Sequence, residues 1–172
     1  YRLGNEVFKM YIRRAAPDDF DEILYVYDYG RQFQIDNGNP GQWVNGYPWP
    51  WLVREDIVKG SCYVCMTDDH RIAGVFTLFD GRDPTYEVID GAWLNDDPYL
   101  TIHRISSSGI CHGIVKFCVD WVYAQRPNIR IDTHSDNSIM RHILPKLGFK
   151  ECGIIITHNG TPRIAFQKCA DA

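Results

Sequence analysis

Apolar residues recur along the chain with two periods, near 3.6 and near 2, and the switches between them set an order of elements. Tyr11-Ile-Arg-Arg-Ala15 reads as a short strand stopped by Pro17, a residue that also suits the first turn of a helix. Asp18 and Asp19 follow, where negative charge complements exposed amides. Phe20, Ile23, Leu24 and Tyr27 fall at i, i+3, i+4 and i+7 and predict an amphipathic helix to about Phe33, weakened in its last third by Gly30. Residues 36–51, DNGNPGQWVNGYPWPW, are too rich in Gly, Asn and Pro for regular structure and predict a long aromatic loop. A shorter helix over Trp51 to Lys59 ends at Gly60. Cys62 to Thr67 and Arg71 to Asp80 pair as a hairpin around Asp68-Asp-His-Arg71. Gly81 to Pro98 is a second irregular insertion with room for a strand at Tyr86 to Ile89.

The second half alternates element types. Tyr99 to Ser106 predicts a strand, Gly113 to Ala124 a helix, and Ile129 to Thr133 a strand. Asp136 to Leu147 predicts a helix with Met140, Ile143, Leu144 and Leu147 on its buried stripe and Gly148 as its stop. Lys150 to Thr157 and Arg163 to Lys168 flank Asn159-Gly160, the strongest short hairpin signal in the chain. The sum is an α/β (α+β) fold: a mixed sheet of about seven strands with about four helices on its faces. A length of 172 residues suits one domain over the whole chain, with residues 1–10 as an N-terminal extension.

Composition narrows the function classes. With 45% hydrophobic, 13% aromatic and 23% charged residues the chain is of ordinary globular type. A formal net charge of -4 leaves no basic excess to draw phosphate backbones or anionic lipid, so neither nucleic acid nor membrane is expected as a partner. No stretch approaches the roughly 20 apolar residues of a membrane span. Residues 1–12 lack the apolar core of a signal peptide, and a cytoplasmic location is expected. Because the sequence starts at Tyr1 rather than Met, a leader ahead of it stays open. The six cysteines, at 62, 65, 111, 118, 152 and 169, read as reduced core thiols. Cys62 and Cys65 have CxxC spacing but lie in a strand-like run, where positions three apart point to opposite faces.

The chemistry concentrates in Ile102-His-Arg-Ile-Ser-Ser-Ser-Gly-Ile-Cys-His-Gly-Ile-Val-Lys-Phe117: a strand, a small-residue turn, then a helix with Ile114, Phe117, Cys118, Trp121 and Val122 on its apolar face. A helix begun this way leaves its first amides unpaired, and with the dipole they form an anion site suited to phosphate. Gly109 and Gly113 let the backbone approach a ligand, and Ser106, Ser107 and Ser108 carry hydroxyl donors. The segment is neither a GK[ST] phosphate loop nor GxGxxG.

This order of strand, turn and helix, followed by a strand, a helix opened by Asp136-Asn137, and Leu147-Gly-Phe149 before another strand, resembles the GNAT family of acetyl-CoA-dependent N-acyltransferases. The resemblance runs from Tyr11 to Lys168. The family's cofactor loop, [QR]xxGx[GA], maps onto Ile110-Cys-His-Gly-Ile-Val115 with Gly113 as its central glycine, while Ile110 and Val115 depart from it. The resemblance therefore implies acetyl-CoA held by Ile110, Cys111, His112, Gly113, Ile114 and Val115, with Ser106 beside them and Asn137 at the last helix. It implies that the backbone of Arg104 and Ile105 binds the pantetheine arm and the thioester carbonyl. The tyrosine that protonates the leaving thiolate in the family falls on Leu144, so either water, Cys111 or another residue takes that part, or no strong acid is needed because a thiolate is already a moderate leaving group. Members of the family commonly pair, which leaves a homodimer open.

Transfer to an amine calls for a base near neutral pKa, and His103 is the titratable group nearest the reacting end of the strand. It is either that base or a histidine satisfied by a neighbouring strand or loop. Glu87, Asp90, Asp96 and Asp97 either compete as bases acting through water or are solvated loop charges, the commoner case. His112 faces phosphate or solvent, Lys116 and Lys146 reach phosphate or stay solvated, and Ser135 and Asp136 are read as helix caps. The aromatic loop, with Trp43, Tyr47, Trp49 and Trp51, and the second insertion, with Tyr86 and Trp93, are expected at the acceptor end, as a small core of their own or as a substrate wall. The leading expectation is an N-acetyltransferase acting on the primary amine of a small molecule or peptide. Two others stay beside it: a module that holds acyl-CoA without turnover, and a metal or redox site at Cys62 and Cys65.

Overall fold

The computed structural model describes residues 9–170 and, as backbone, Arg2–Leu3 and Glu6–Val7. In chain order the elements are β1 (Arg2–Leu3), β2 (Glu6–Val7), β3 (Met10–Arg14), α1 (Phe20–Asp36), α2 (Pro50–Val58), β4 (Cys62–Thr67), β5 (Ile72–Asp80), β6 (Asp90–Gly91), β7 (Leu100–Ser107), α3 (Ile114–Gln125), β8 (Asn128–Thr133), α4 (Ser138–Lys146), β9 (Lys150–Ile156) and β10 (Pro162–Cys169). The expected extension 1–10 contributes the β1–β2 ribbon, while its positions 1, 4, 5 and 8 lie outside the described residues. The main sheet runs β3-β4-β5-β7-β8-β10-β9-β6, and among the described residues only the β7–β8 pair is parallel. It has eight strands rather than seven because β6 joins its edge.

That edge strand corrects the expected one at Tyr86 to Ile89. Pro84 opens a 3-10 turn over Pro84–Tyr86, capped by the Asp83 side chain accepting from the Thr85 amide. The pairing moves on to Asp90 and Gly91, opposite Ile154 and Gly153. A Cβ at Gly91 would stand 2.2 Å from the Cys152 carbonyl oxygen, so only glycine permits this approach.

Alternation along the strands divides the core into layers. One face of the sheet packs Cys65, Ile102, Ile131 and Phe166 against Ile114, Cys118 and Val122 of α3 and Leu144 of α4. The other packs Cys62, Val64 and Val75 against Ile23, Val26 and Tyr27 of α1 and Val53 and Ile57 of α2. Cys62 and Cys65 thus lie on opposite faces, each buried as a core thiol. Farther along the sheet, residues 81–98 fold over Ile155 and Ala165 with Tyr86 and Tyr99 as a third cluster.

β7 and β8 pair only at Leu100 with Ile129 and Thr101 with Arg130, and then the ladder stops. On the other side of β7, Val75 faces Ser106 and Thr77 faces His103, so Arg104 and Ile105 together oppose Phe76. This is a β-bulge, which bends the strand that carries it. Its first residue, Arg104, has φ +51°, an uncommon value for a side chain of this kind. Three contacts hold it. The Tyr27 hydroxyl donates to the Arg104 carbonyl at 2.9 Å, and the guanidinium makes a forked pair with the buried Asp56 at 3.0 and 2.9 Å. Burial alone would lower the Arg104 pKa, but Tyr47 and Asp56 outweigh it and raise it.

α1 lies against this strand through Gly30. The helix continues to Asp36, past the position where that glycine was expected to weaken it. A Cβ there would lie 2.0 Å from Ser106 Oγ, whose hydroxyl donates to the Val26 carbonyl at 3.2 Å. Helix propensity alone makes Gly30→Ala stabilising by about 1 kcal/mol. The packing reverses the sign: we expect a loss of about 1–3 kcal/mol in urea unfolding, the usual cost of an overfilled core. A stabilised variant would show that α1 does not press on β7 here.

Candidate active site

Where β7 and β8 part, the sheet is open, and a cleft of about 1170 Å³ passes through the gap. On the face shared with α3 and α4 it is bounded by Gly109, His112, Gly113 and Val115 and by Ile139, Met140 and Ile143 of α4. On the face shared with α1 it is bounded by Trp43, Tyr47 and Trp49 of the loop between α1 and α2, and by Asp83 and Thr85 of the second insertion.

The structure brings nearly all the sequence-predicted residues to this cleft. His103, Arg104, Ile105 and Ser106 line it along β7; Cys111, His112, Gly113, Ile114 and Val115 line it at the start of α3; Asn137 lines it at α4. Ile110 does not: it packs against the main core beneath α3, because its side chain is apolar where the family has a polar one. Gly113 is the N-cap of α3 at φ +77°, with no side chain capping it, so the first-turn amides are left for a ligand. Ser106 is buried, with its hydroxyl turned to Val26. Cys111 is buried and its thiol is raised by that burial.

One expectation is corrected, one is met and one pair of alternatives is decided. Asn137 itself caps α4, its Oδ1 accepting from the Met140 amide at 3.1 Å, in place of Ser135 or Asp136. Leu144 has 0% exposure in the core between α4 and the sheet and does not face the cleft, so the family's tyrosine position is filled by packing. Glu87, Asp90, Asp96 and Asp97 are exposed and stand outside the cleft.

The carboxylates that do reach it are Asp80, paired with Arg126, and Asp83 and Asp132, which stand beside His103. Asp83 Oδ2 meets His103 Nε2 at 2.7 Å, and its Oδ1 accepts from the Thr85 amide and hydroxyl at 2.9 and 2.7 Å. Burial by itself raises Asp83, but the bond to His103, its charge and the Thr85 donors prevail and hold it at about 2. An ionised carboxylate only accepts, so His103 Nε2 carries the proton and Nδ1 is left toward the cleft. Nδ1 lies 3.8 Å from Asp132 Oδ2, which accepts from the buried Tyr86 hydroxyl at 2.6 Å. Burial, and then the Asp132 charge, push Tyr86 far above its ordinary value, so it remains a donor. Asp83-Pro-Thr, a capping sequence within the insertion, and Asp132, a charge between the inward Ile131 and Thr133, were the available signals for these two residues.

Gln42 closes the cleft from above. Its Oε1 accepts from Asn39 and Asn137 at 2.9 and 3.0 Å and from Thr133 and His134 at 3.3 Å, tying the aromatic loop to β8 and α4.

No protein-family model and no curated protein matches the chain by sequence. Solved structures do. A GNAT-family acetyltransferase from Streptococcus agalactiae is 32% identical over 98% of this chain and 100% of its own, with a TM-score of 0.84. A GNAT-family acetyltransferase from Listeria monocytogenes is 21% identical over 92% and 94%, with a TM-score of 0.65. The apo form of YjaB from Escherichia coli is 13% identical over 94% and 99%, at 0.67. The last two share the fold. The first places this chain in the class of GNAT-family acetyltransferases. The chain belongs to the GNAT family.

The Asp83 carboxyl gives a test of the site's wiring. Its pKa is depressed from 3.8 to about 2, so its stabilisation is present above about pH 4 and is lost as the pH falls through about 2. Asp83→Asn should cost on the order of 2 kcal/mol at pH 7 and flatten the stability profile between about pH 4 and 2. An unchanged acid limb in urea titrations would mean that Asp83 is not bound to His103 in solution.

Proposed function

We propose that the protein is an acetyl-CoA-dependent N-acetyltransferase of a primary amine, with His103 as the base. The observation that carries this reading is the position of His103: it is held through Nε2 by Asp83, next to the bulge, at the mouth of the gap between β7 and β8.

The residues present fit acetyl-CoA. The uncapped first turn of α3 offers amides to the diphosphate, in the manner of other helix N-termini. Ile114, Val115, Met140 and Ile143 offer an apolar channel for the pantetheine arm. The Arg104 carbonyl is turned to Tyr27, and a planar trans peptide sends the Ile105 N–H the opposite way, out of the ladder. That amide is the donor for the thioester carbonyl, a role worth roughly 2.7–4 kcal/mol in comparable sites.

When bound, acetyl-CoA supplies an acetyl carbon that forms a C–N bond with the amine as its C–S bond breaks. His103 Nδ1 takes one proton from the incoming ammonium and passes it to solvent. A second proton goes from the nitrogen to the departing sulfur. Asp83 holds the imidazole in the tautomer this requires and steadies its charge once protonated. No residue need supply strong acid, because a thiolate leaves readily at neutral pH. The burial of Leu144 favours one other reading, a module that holds acyl-CoA without turnover; steady release of free thiol with an amine rules it out.

Calorimetry should show acetyl-CoA binding, and Gly113→Asp should weaken it at least about tenfold, since a carboxylate then faces the diphosphate. No binding at millimolar ligand would remove the basis of the proposal. His103→Ala should lower kcat/KM by about 10²–10⁴ with cofactor affinity kept, the range for a lost general base. Undiminished turnover would assign the base elsewhere.

A further inference from the structure

We infer that the acceptor is a primary amine with an aromatic or similarly apolar body a few bonds from its ammonium. This rests on the acetyltransferase reading above and names the substrate class of the same site.

The ammonium end is defined by a gap. His103 Nδ1 and Asp132 Oδ2 stand 3.8 Å apart, too far to bond to each other. A single ammonium nitrogen set between them reaches both at ordinary hydrogen-bond length, about 2.9 Å. Asp132 is kept in place by the Tyr86 hydroxyl, and His103 by Asp83, so both acceptors are fixed before the amine arrives. The nearby Arg163 guanidinium is committed to the Gln42 and Pro162 carbonyls and to Thr161 Oγ1.

From that gap a run of flat groups leads outward on the same side of the sheet. The Phe79 ring lies 5.7 Å from His103, and the Arg104 guanidinium 5.5 Å from Phe79. The Arg104 Nη1 donates to the Tyr47 hydroxyl at 3.1 Å, and the Tyr47 ring stands 5.1 Å from Trp49. Trp51, 61% exposed, stacks on Trp49 at 5.5 Å and closes the run at the rim. Most polar atoms of this wall are already used: Trp49 Nε1 donates to the Asn45 carbonyl, Tyr47 accepts from Arg104, and Arg104 is paired with Asp56, which leaves the Tyr47 O–H and the Trp51 N–H at the rim as its donors. Beyond these, what remains for a ligand is ring surface. A peptide or a sugar amine would bring several polar groups to it and find few partners, at the cost of leaving them unsatisfied. An apolar body would be buried without that cost.

The test uses the full chain, acetyl-CoA and three amines: phenethylamine, n-propylamine and a tripeptide with a central lysine. We expect kcat/KM for phenethylamine to exceed that of the other two by at least about tenfold, the scale of one buried ring against none. Trp49→Ala should raise KM for phenethylamine about tenfold while leaving propylamine and the acetyl-CoA Kd unchanged, and Trp49→Phe should restore most of the loss. Asp132→Asn should raise KM for both simple amines alike. Equal efficiency across the panel, or preference for propylamine or the peptide, overturns this inference and leaves the acetyltransferase reading standing. Acetyl-CoA binding with no thiol released from any amine overturns both.

Discussion

Two parallel strands that stay hydrogen-bonded along their length leave no passage through a sheet. In this protein the ladder between β7 and β8 ends after two residue pairs, where Arg104 and Ile105 crowd opposite the single Phe76. The bulge bends β7 away from β8, and the passage follows from that one irregularity. A residue at φ +51° costs of order 1–3 kcal/mol and persists only where its surroundings over-determine it. Here Tyr27 fixes the carbonyl and Asp56 fixes the guanidinium, so helices α1 and α2 together hold the strand in its bent form.

The two sides of the passage are chemically unlike because they are built from different layers. The side under α3 and α4 has uncapped amides and aliphatic side chains, which suit a long, thin, anionic molecule. The side under the aromatic loop has carboxylates and rings. Asp83 reaches it only because the second insertion is anchored to the sheet: Arg130 lies between Trp93 and Tyr99, at 4.1 and 4.0 Å from their ring centres, and Asn95 binds Asn128 and Gln167. A loop held this firmly presents its carboxylate in one orientation. Gln42 does the same for the first loop, joining it to Asn137 and β8.

Several functional features arise from packing conflicts with local preference. Gly30 disfavours a helix yet is the residue that lets α1 touch β7. Leu144 follows the buried stripe expected of α4, and for that reason no acid can stand in its place. Pro145 has no N–H to give the carbonyl four residues back, and the helix ends one residue later, at Lys146. The carboxylates nearest β7 in the second insertion, Glu87, Asp90, Asp96 and Asp97, are solvated, while Asp83 and Asp132 meet His103. Distance along the chain carries no information on which loop charge folds back over a strand.

Periodicity and turn chemistry alone determined the order and type of most elements, the irregular stretch expected at 36–51 and the small-residue turn before α3, because each depends on neighbours within a few residues. The same local signals placed Gly113 at the cap and His103 at the end of a strand. Tertiary structure decided the rest: where β7 breaks from β8, which carboxylate meets His103, that Ile110 turns inward, and that Asn137 rather than its neighbours caps α4. The parting of β7 from β8 and the meeting of Asp83 with His103 rest on contacts between residues 20 or more positions apart, and a contact of that kind is set by how whole layers pack rather than by any short stretch of chain.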